Sequence, residues 1–270
     1  VEKAVVVKLG GHAMDRMESR FLEQIARLHA EGTPLVVVHG GGPRLSEFLR
    51  ERGIVPRFVD GRRVTDEQTL EAARMVLAGD INKRLVSTLL MAGIPAIGLS
   101  GVDLSLLRVK PADARLGFVG EVEEVNREAL RSMLADGWVP VIASVGADQQ
   151  GRHYNINADE AAAALAESIS AKRLVLVTDV DGIYRTEGAK RIRLSKATLQ
   201  QLEEGIRNGW ITGGMIPKTR AGIRCLRGSV EEVWITGGKS PVLPGEEGTG
   251  TCLVREEVKT GEAVSHLHPV

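Results

Sequence analysis

Lysines set beside glycines are the residues in this 270-residue chain whose spacing could do chemistry. Lys8 lies inside an apolar run, Val5-Val6-Val7-Lys8-Leu9, that ends on Gly10 and Gly11. An unpaired ammonium in a buried strand is costly, so an anion is expected beside it. The glycines remove side chains where the chain leaves the strand, letting backbone N–H groups approach a ligand closely. A cation next to bare N–H groups outlines a phosphate site. A second apolar run, Leu35-Val36-Val37-Val38, ends on His39-Gly40-Gly41-Gly42-Pro43. In a right-handed βαβ unit two such loops emerge at the same edge of the sheet and face one ligand.

Two further segments carry polar groups at helix starts. Asn155-Ile156-Asn157-Ala158-Asp159-Glu160 precedes an alanine-rich stretch, and Ile211-Thr212-Gly213-Gly214-Met215-Ile216-Pro217-Lys218 is a glycine turn opening a helix. Lys218 follows Pro217 in a first helical turn, so its ammonium points at whatever lies at that helix end. Each residue also has a plainer reading. Lys218 could be a solvated lysine, Asp159 a helix N-cap, and Asn155 and Asn157 turn residues.

The bulk numbers narrow the class. Lys+Arg equals Asp+Glu at 35 each, leaving no global field to recruit nucleic acid or a membrane surface. Aromatics are only 3%, against a base-stacking surface. No apolar run approaches the roughly 20 residues of a membrane span. Cys225 and Cys252 give neither metal spacing nor a disulfide framework, and with a first strand starting at once the expectation is a cytoplasmic protein. His266 and His268 read as a loose tail. There is no G-x-x-x-x-G-K-[ST], no G-x-G-x-x-G after a strand, and no nucleophile elbow.

Strand and helix patterns alternate, as in an α/β fold with a mainly parallel sheet. Phe21, Ile25 and Leu28, then Leu45, Phe48 and Leu49, mark two helices. Thr65 with Gln68 reads as a capping box for a helix that continues through Leu85 and Leu89 to Gly93. Residues 105–125 suit a hairpin or lid over one end of the sheet. Leu174-Val175-Leu176-Val177 is a buried strand followed by Thr178 to Tyr184, and Val233-Trp234-Ile235 with Cys252-Leu253-Val254 closes the sheet. A boundary near residue 150 divides the chain into lobes 1–150 and 151–270.

Taken together, Lys8-Leu9-Gly10-Gly11, His39-Gly40-Gly41-Gly42, Asn155 to Asp159 and Gly214 to Lys218 resemble, in order and across essentially the whole chain, the amino acid kinase family. Gly61-Arg62-Arg63-Val64-Thr65 is similar to the Gly-Leu-Arg-Val-Thr signature of its N-acetylglutamate kinase subgroup, and Asn82-Lys83 also fits. Arg62 stands where leucine is usual, an extra cation that could alter substrate choice. The resemblance implies a three-layer αβα sandwich like that of carbamate kinases. It implies an acyl-acceptor lobe over 1–150 and an ATP lobe over 151–270. The implied reaction is phosphorylation of the side-chain carboxylate of N-acetyl-L-glutamate by ATP in arginine biosynthesis. An acetylated or carrier-linked aminoadipate kinase of lysine biosynthesis, or a non-catalytic nucleotide or amino-acid sensor, are the alternatives.

In that reading Lys8 sits on the transferring phosphoryl, Lys218 on the leaving side, and Asp159 holds both, while Gly11 and Gly41 donate N–H bonds. Arg63, Asn155, Gly41 and Gly42 bind the acid. The nucleotide meets Lys8, Gly10, Gly11, Thr178, Asp179, Gly182, Tyr184, Gly213, Gly214, Met215 and Lys218. Magnesium comes with ATP, held by phosphates and water, and no protein metal ligand is expected. Family members inhibited by arginine carry an extra helix before the first strand and form hexamers. Here the first strand begins near Ala4, so the expectation is a homodimer insensitive or weakly sensitive to arginine.

Overall fold

The computed structural model describes residues 3–11, 19–187, 190–237 and 250–256. In chain order its strands begin with β1 (Val5–Leu9), β2 (Leu35–His39), the short pair β3 (Phe58–Val59) and β4 (Arg62–Arg63), and β5 (Ala96–Ser100). Next come β6 (Leu107–Pro111), β7 (Val119–Val125), β8 (Val139–Ala143), β9 (Val145–Ala147) and β10 (His153–Ile156). The last are β11 (Arg173–Thr178), β12 (Tyr184–Glu187), β13 (Lys190–Arg193), β14 (Lys196–Thr198), β15 (Glu232–Gly237) and β16 (Thr251–Val254). The α-helices are α1 (Ser19–Ala30), α2 (Gly42–Glu51), α3 (Glu67–Ala73), α4 (Asn82–Met91), α5 (Arg127–Ala135), α6 (Ala158–Ser168), α7 (Leu199–Arg207) and α8 (Met215–Arg227).

An eight-stranded sheet, ordered β14-β16-β15-β11-β1-β2-β8-β5, forms the middle layer. Its neighbours are parallel except β15 and β16. β1 and β2 are buried along their whole length, which is why they read as unbroken apolar runs rather than as alternating ones. The two faces feed separate cores. Val5, Val7 and Leu9 pack with Ile25, Leu45, Leu49, Leu85 and Leu89 from α1, α2 and α4. Val6, Val36 and Val38 pack with Leu130, Leu165, Ala221 and Leu226 from α5, α6 and α8. The fold is therefore a three-layer αβα sandwich with a mainly parallel sheet. Ala161 to Ala164 of α6 are buried against it, and small side chains let that helix lie close to β1.

Four features depart from the sequence reading or go beyond it. The 105–125 hairpin is real as β6 and β7, but with β9 and β10 it closes into a small barrel, and β9 pairs with β10 across residue 150. The helix expected to run from Thr65 to Gly93 contains a π segment, Arg74–Ile81, between α3 and α4. Apolar residues recur at 77, 81, 85 and 89 on either geometry, so the pattern does not reveal the wider turns. Thr65 is not the cap of α3. Asp66 is, accepting a hydrogen bond from the Thr69 N–H at 2.8 Å, whereas the fully buried Thr65 donates to the Arg63 carbonyl at 3.0 Å. Finally, β12 and β13 form a hairpin after Tyr184 that no periodicity announced. The tail with His266 and His268 lies outside the described residues.

Candidate active site

The strand geometry turns Lys8 toward the α6 face of the sheet, because Lys8 alternates with Val7 and Leu9 on the other. There its Nζ meets Asp159 Oδ1 at 2.9 Å. Asp159 sits in the first turn of α6, where the free N–H groups favour a carboxylate. The cap of that helix is Asn157, whose Oδ1 accepts from the N–H groups of Asp159 (2.9 Å) and Glu160 (3.3 Å). The other carboxylate oxygen, Oδ2, accepts from Lys218 Nζ at 3.0 Å, reaching across from the first turn of α8. One buried carboxylate thus holds two ammoniums that are 210 residues apart in the chain (218 − 8).

Charge and burial pull against each other here. Burial pushes the Asp159 carboxyl up, but Lys8 and Lys218 outweigh it and hold the group below the usual carboxylate range. Burial lowers the Lys8 ammonium, with Asp159 opposing and Lys218 adding to the fall. Two cations on one anion leave this trio positive, offset in part by Asp179 nearby, and two ammoniums at a cleft junction suit an incoming phosphoryl group.

Two clefts meet at this cluster. The first, about 330 Å³, is lined by Lys8, Gly10, Gly11, Gly41, Gly42, Arg63, Asn155 and Asp159 among others. The second, about 380 Å³, is lined by Gly182, Tyr184, Trp210, Gly214 and Met215 among others. Thr178, Asp179 and Lys218 belong to both walls. Gly213, with φ of 55°, makes the turn before α8 and lines neither.

The first cleft has walls only glycine can supply. A Cβ on Gly41 would lie 2.2 Å from Ile81 Cδ1, and one on Gly11 would lie 2.4 Å from Pro43 Cδ. Arg63, 7% exposed, donates through Nη2 to the Gly42 carbonyl (3.0 Å) and Ser46 Oγ (2.7 Å), and its guanidinium lies 4.7 Å from the Phe58 ring centroid. Its Nη1 is buried with no hydrogen-bond partner, and among the described residues it has no ion-pair partner. Burial, with Arg50 nearby, lowers its pKa to about 10. A buried fork left half-unpaired beside a cleft fits a carboxylate. Asn155 donates to Thr65 Oγ1 at 3.2 Å, which joins β10 to the Arg63 segment.

Arg62 is not a free extra cation. Its Nη2 pairs with Glu160 Oε1 at 2.5 Å and its Nη1 reaches Glu121 Oε1 at 3.4 Å. Sequence reasoning missed Ser46 and Phe58 beside Arg63, and Trp210 and Arg191 in the second cleft, where Arg191 stacks over Tyr184 at 4.3 Å. None of these has a motif; only tertiary contact identifies them. Among the described residues no group of three His, Cys, Asp or Glu could hold a metal ion, and no helix is long and apolar enough to cross a membrane.

The profile of the amino acid kinase family matches residues 3–237. An acetylglutamate kinase of Geobacillus sp. (strain WCH70) is 42% identical over 257 residues, covering 95% of this chain and 98% of that protein. The crystal structure of smu.665 from Streptococcus mutans UA159 superposes with a TM-score of 0.85 at 30% identity, over 94% of this chain and 99% of that one. A carbamate kinase from Giardia lamblia bound to AMP-PNP shares the fold at 17% identity, with a TM-score of 0.73 over 95% of this chain and 99% of its own.

Proposed function

The chain belongs to the amino acid kinase family, and from that premise we propose that it is an acetylglutamate kinase. It transfers the γ-phosphoryl of ATP to the side-chain carboxylate of N-acetyl-L-glutamate, giving an acyl phosphate and ADP on the route to arginine. The observation that carries the reading is the Lys8–Asp159–Lys218 cluster at the junction of two clefts, with the half-unpaired Arg63 guanidinium lining the first.

A carboxylate is already a nucleophile at neutral pH, so no general base is needed. The obstacle is electrostatic, since an anion must approach a highly charged phosphoryl group. A carboxylate oxygen attacks the γ-phosphorus as the bond to the β–γ bridging oxygen breaks, and that oxygen leaves with ADP. Lys8 stabilises the migrating phosphoryl and Lys218 the leaving side, while Asp159 keeps both ammoniums aimed. The N–H groups of Gly11 and Gly41 bond to the phosphoryl oxygens. Arg63 takes the α-carboxylate through its unpaired Nη1, with Asn155 and the Gly41–Gly42 backbone on the other polar groups. The acid thus lies mainly on 1–150 and the nucleotide mainly on 151–270, the exceptions being Asn155 on the acid and Lys8, Gly10 and Gly11 on the phosphates. Gly10 and Gly11 approach the phosphates; Thr178, Asp179, Gly182, Tyr184, Gly214 and Met215 hold the rest, and Gly213 serves only as the turn that sets Gly214 and Met215. Magnesium enters with ATP, coordinated by phosphates and water.

The enzyme works as a cytoplasmic homodimer. The outer edge of β5 has no strand partner among the described residues, and Leu90 and Met91 of the adjoining α4 are exposed, which supports pairing at that edge. Cys225 and Cys252 are free and buried, as a reducing compartment permits. Light scattering at working concentration measures the dimer. Acid-dependent ADP release across acetylated amino acids, with hydroxylamine trapping of the acyl phosphate, tests the activity. A preference for an aminoadipate derivative of about tenfold or more, 1.4 kcal/mol, would replace the substrate assigned here.

A further inference from the structure

His39 ends β2 immediately before the glycine loop, is fully buried, and has no part in the chemistry described so far. Its Nδ1 lies 3.0 Å from the Gly40 carbonyl oxygen, and its Nε2 lies 3.1 Å from Asn82 Nδ2. A carbonyl only accepts, so Nδ1 carries the proton. The Asn82 amide is oriented by its other neighbours. Its Nδ2 also faces the carbonyls of Val141 (2.8 Å) and Leu99 (3.1 Å), while its Oδ1 accepts from Lys83 Nζ at 3.1 Å. An amide NH2 only donates, so Nε2 is the acceptor and the ring is the neutral Nδ1–H tautomer. Burial lowers the ring's pKa to about 4, with the Gly40 contact opposing and Lys83 adding to the fall.

We propose that His39, set by Asn82, is a positioning residue that fixes the Gly40–Gly41 peptide so that the Gly41 N–H is presented to the migrating phosphoryl group. This rests on the kinase reading above. In a trans, planar peptide the C=O and the following N–H point in opposite directions. His39 shares its face of the sheet with Val37, the face covered by α2 and α4, whereas Lys8 and Asp159 lie on the other. Drawing the Gly40 carbonyl toward His39 therefore turns the Gly41 N–H toward the Lys8 side. The π segment completes the clamp. It sets Leu77 and Ile81 against the Cα of Gly41, within 2.7 and 2.2 Å of where a Cβ would stand, and the next residue is Asn82. Wider π turns at a functional site are a recurring device. A hydrogen-bond donor aimed where charge develops acts in the transition state more than in the ground state, so losing its aim lowers kcat rather than raising KM.

The test uses the full-length protein. An Asn side chain can place its amide donor where His Nδ1 stands, whereas a Gln side chain reaches the Nε2 position instead. His39→Gln should lower kcat by about 10- to 100-fold with both KM values changed less than about threefold, and His39→Asn should recover most of it. The ratios are read with whichever acetylated acid the wild type turns over. A wrong substrate assignment then shows as a slow wild type and leaves the ratios intact. Independently of activity, 15N spectra of histidine-labelled wild type should show His39 with Nδ1 protonated and Nε2 bare between pH 6 and 8. If His39→Gln does not fold, those spectra and His39→Asn carry the test. Equal losses in the two variants, a change confined to KM, an inactive His39→Asn, or a proton on Nε2 would each overturn the proposal.

Discussion

The acid-side cleft and the nucleotide-side cleft share Thr178, Asp179 and Lys218 yet handle charge in opposite ways. On the acid side Lys8, Arg63 and Asp159 are each at most 7% exposed, and the walls are backbone at Gly10, Gly11, Gly41 and Gly42. On the nucleotide side the polar contacts are made where water reaches them. Tyr184 donates to Asp181 Oδ1 at 2.6 Å and stacks under the exposed Arg191. On the proposed reading, charge is desolvated where bonds change and left solvated where a large ligand only has to be held. Interactions in a dry site are worth more than the same ones in water, so damage should be graded by cleft.

The largest effects belong to the shared cluster. Lys8→Ala and Lys218→Ala should each lower kcat by about 10²–10³-fold in steady-state assays, with modest changes in KM. A wild-type kcat in either variant removes the electrostatic account of the reaction. Next in size, Arg63→Ala should raise KM for the acid by about 10- to 100-fold while kcat holds, since a buried charged contact made equally in ground and transition states is lost. Arg63→Lys should recover little, because an ammonium cannot replace a planar fork. On the nucleotide side, Tyr184→Phe should raise KM for ATP by no more than about threefold, roughly 0.6 kcal/mol, as expected of a single part-buried hydrogen bond. An effect there as large as at Arg63 would erase the contrast between the clefts.

The same contrast has a stability arm. Asp159 has a folded pKa held below its unfolded value, so its contribution is complete above about pH 4–5 and is lost as pH falls through the folded value. The Tm gap between wild type and Asp159→Asn should therefore be wide at pH 7 and close in acid. Lys8 is lowered too, but by burial rather than by its partners, so its slope has the same sign in an alkaline window. The unfolded chain binds its proton more tightly, so stability rises with pH as the unfolded value near 10.4 is approached. Lys8→Met leaves Asp159 paired with Lys218, and it should raise Tm at pH 7 by about 2–4 °C while lowering kcat as far as Lys8→Ala does. Calorimetry of the two proteins side by side decides it; a lower Tm in the variant means Lys8 is not under strain.

Much of this is legible in the sequence itself, and the reasons are local. A buried parallel strand must be apolar on both faces, so β1 and β2 announced themselves, and a lysine inside one of them had to have an anion. Gly10, Gly11, Gly40 and Gly41 could be read because their task is steric. What sequence could not supply was identity of partners. Asp66 rather than Thr65 caps α3, because Thr65 is drawn into the core between Arg63 and Asn155. The π segment preserves the apolar spacing of a plain helix. The β12–β13 hairpin has no alternation, since it is a solvated ribbon whose residues need no buried face. Glu160 and Glu121 lie 98 and 59 residues from Arg62, and nothing in the chain between hints at the link (160 − 62 and 121 − 62).

Arg62 is where the smallest effect is expected, for a reason the acid-side cleft makes plain. It neighbours the most consequential guanidinium in the cleft and stands where the subgroup signature has leucine, so charge alone suggests a second anchor for the substrate. The geometry assigns that charge elsewhere. Glu160 at 2.5 Å and Glu121 at 3.4 Å take the fork, tying β4 to the start of α6 and to β7. The groups remain about a quarter or more exposed, with side-chain values of 27% for Arg62, 25% for Glu160 and 43% for Glu121, so the pairs are screened. Screened pairs contribute about 0–1 kcal/mol. Arg62→Leu should change KM for the acid and kcat by less than about threefold and shift Tm by no more than about 3 °C. If steady-state kinetics instead show a KM rise comparable to that of Arg63→Ala, the two acids do not neutralise Arg62 in the working enzyme. The cleft then offers its ligand two cations rather than one, and a substrate with more negative charge than N-acetylglutamate becomes the better fit.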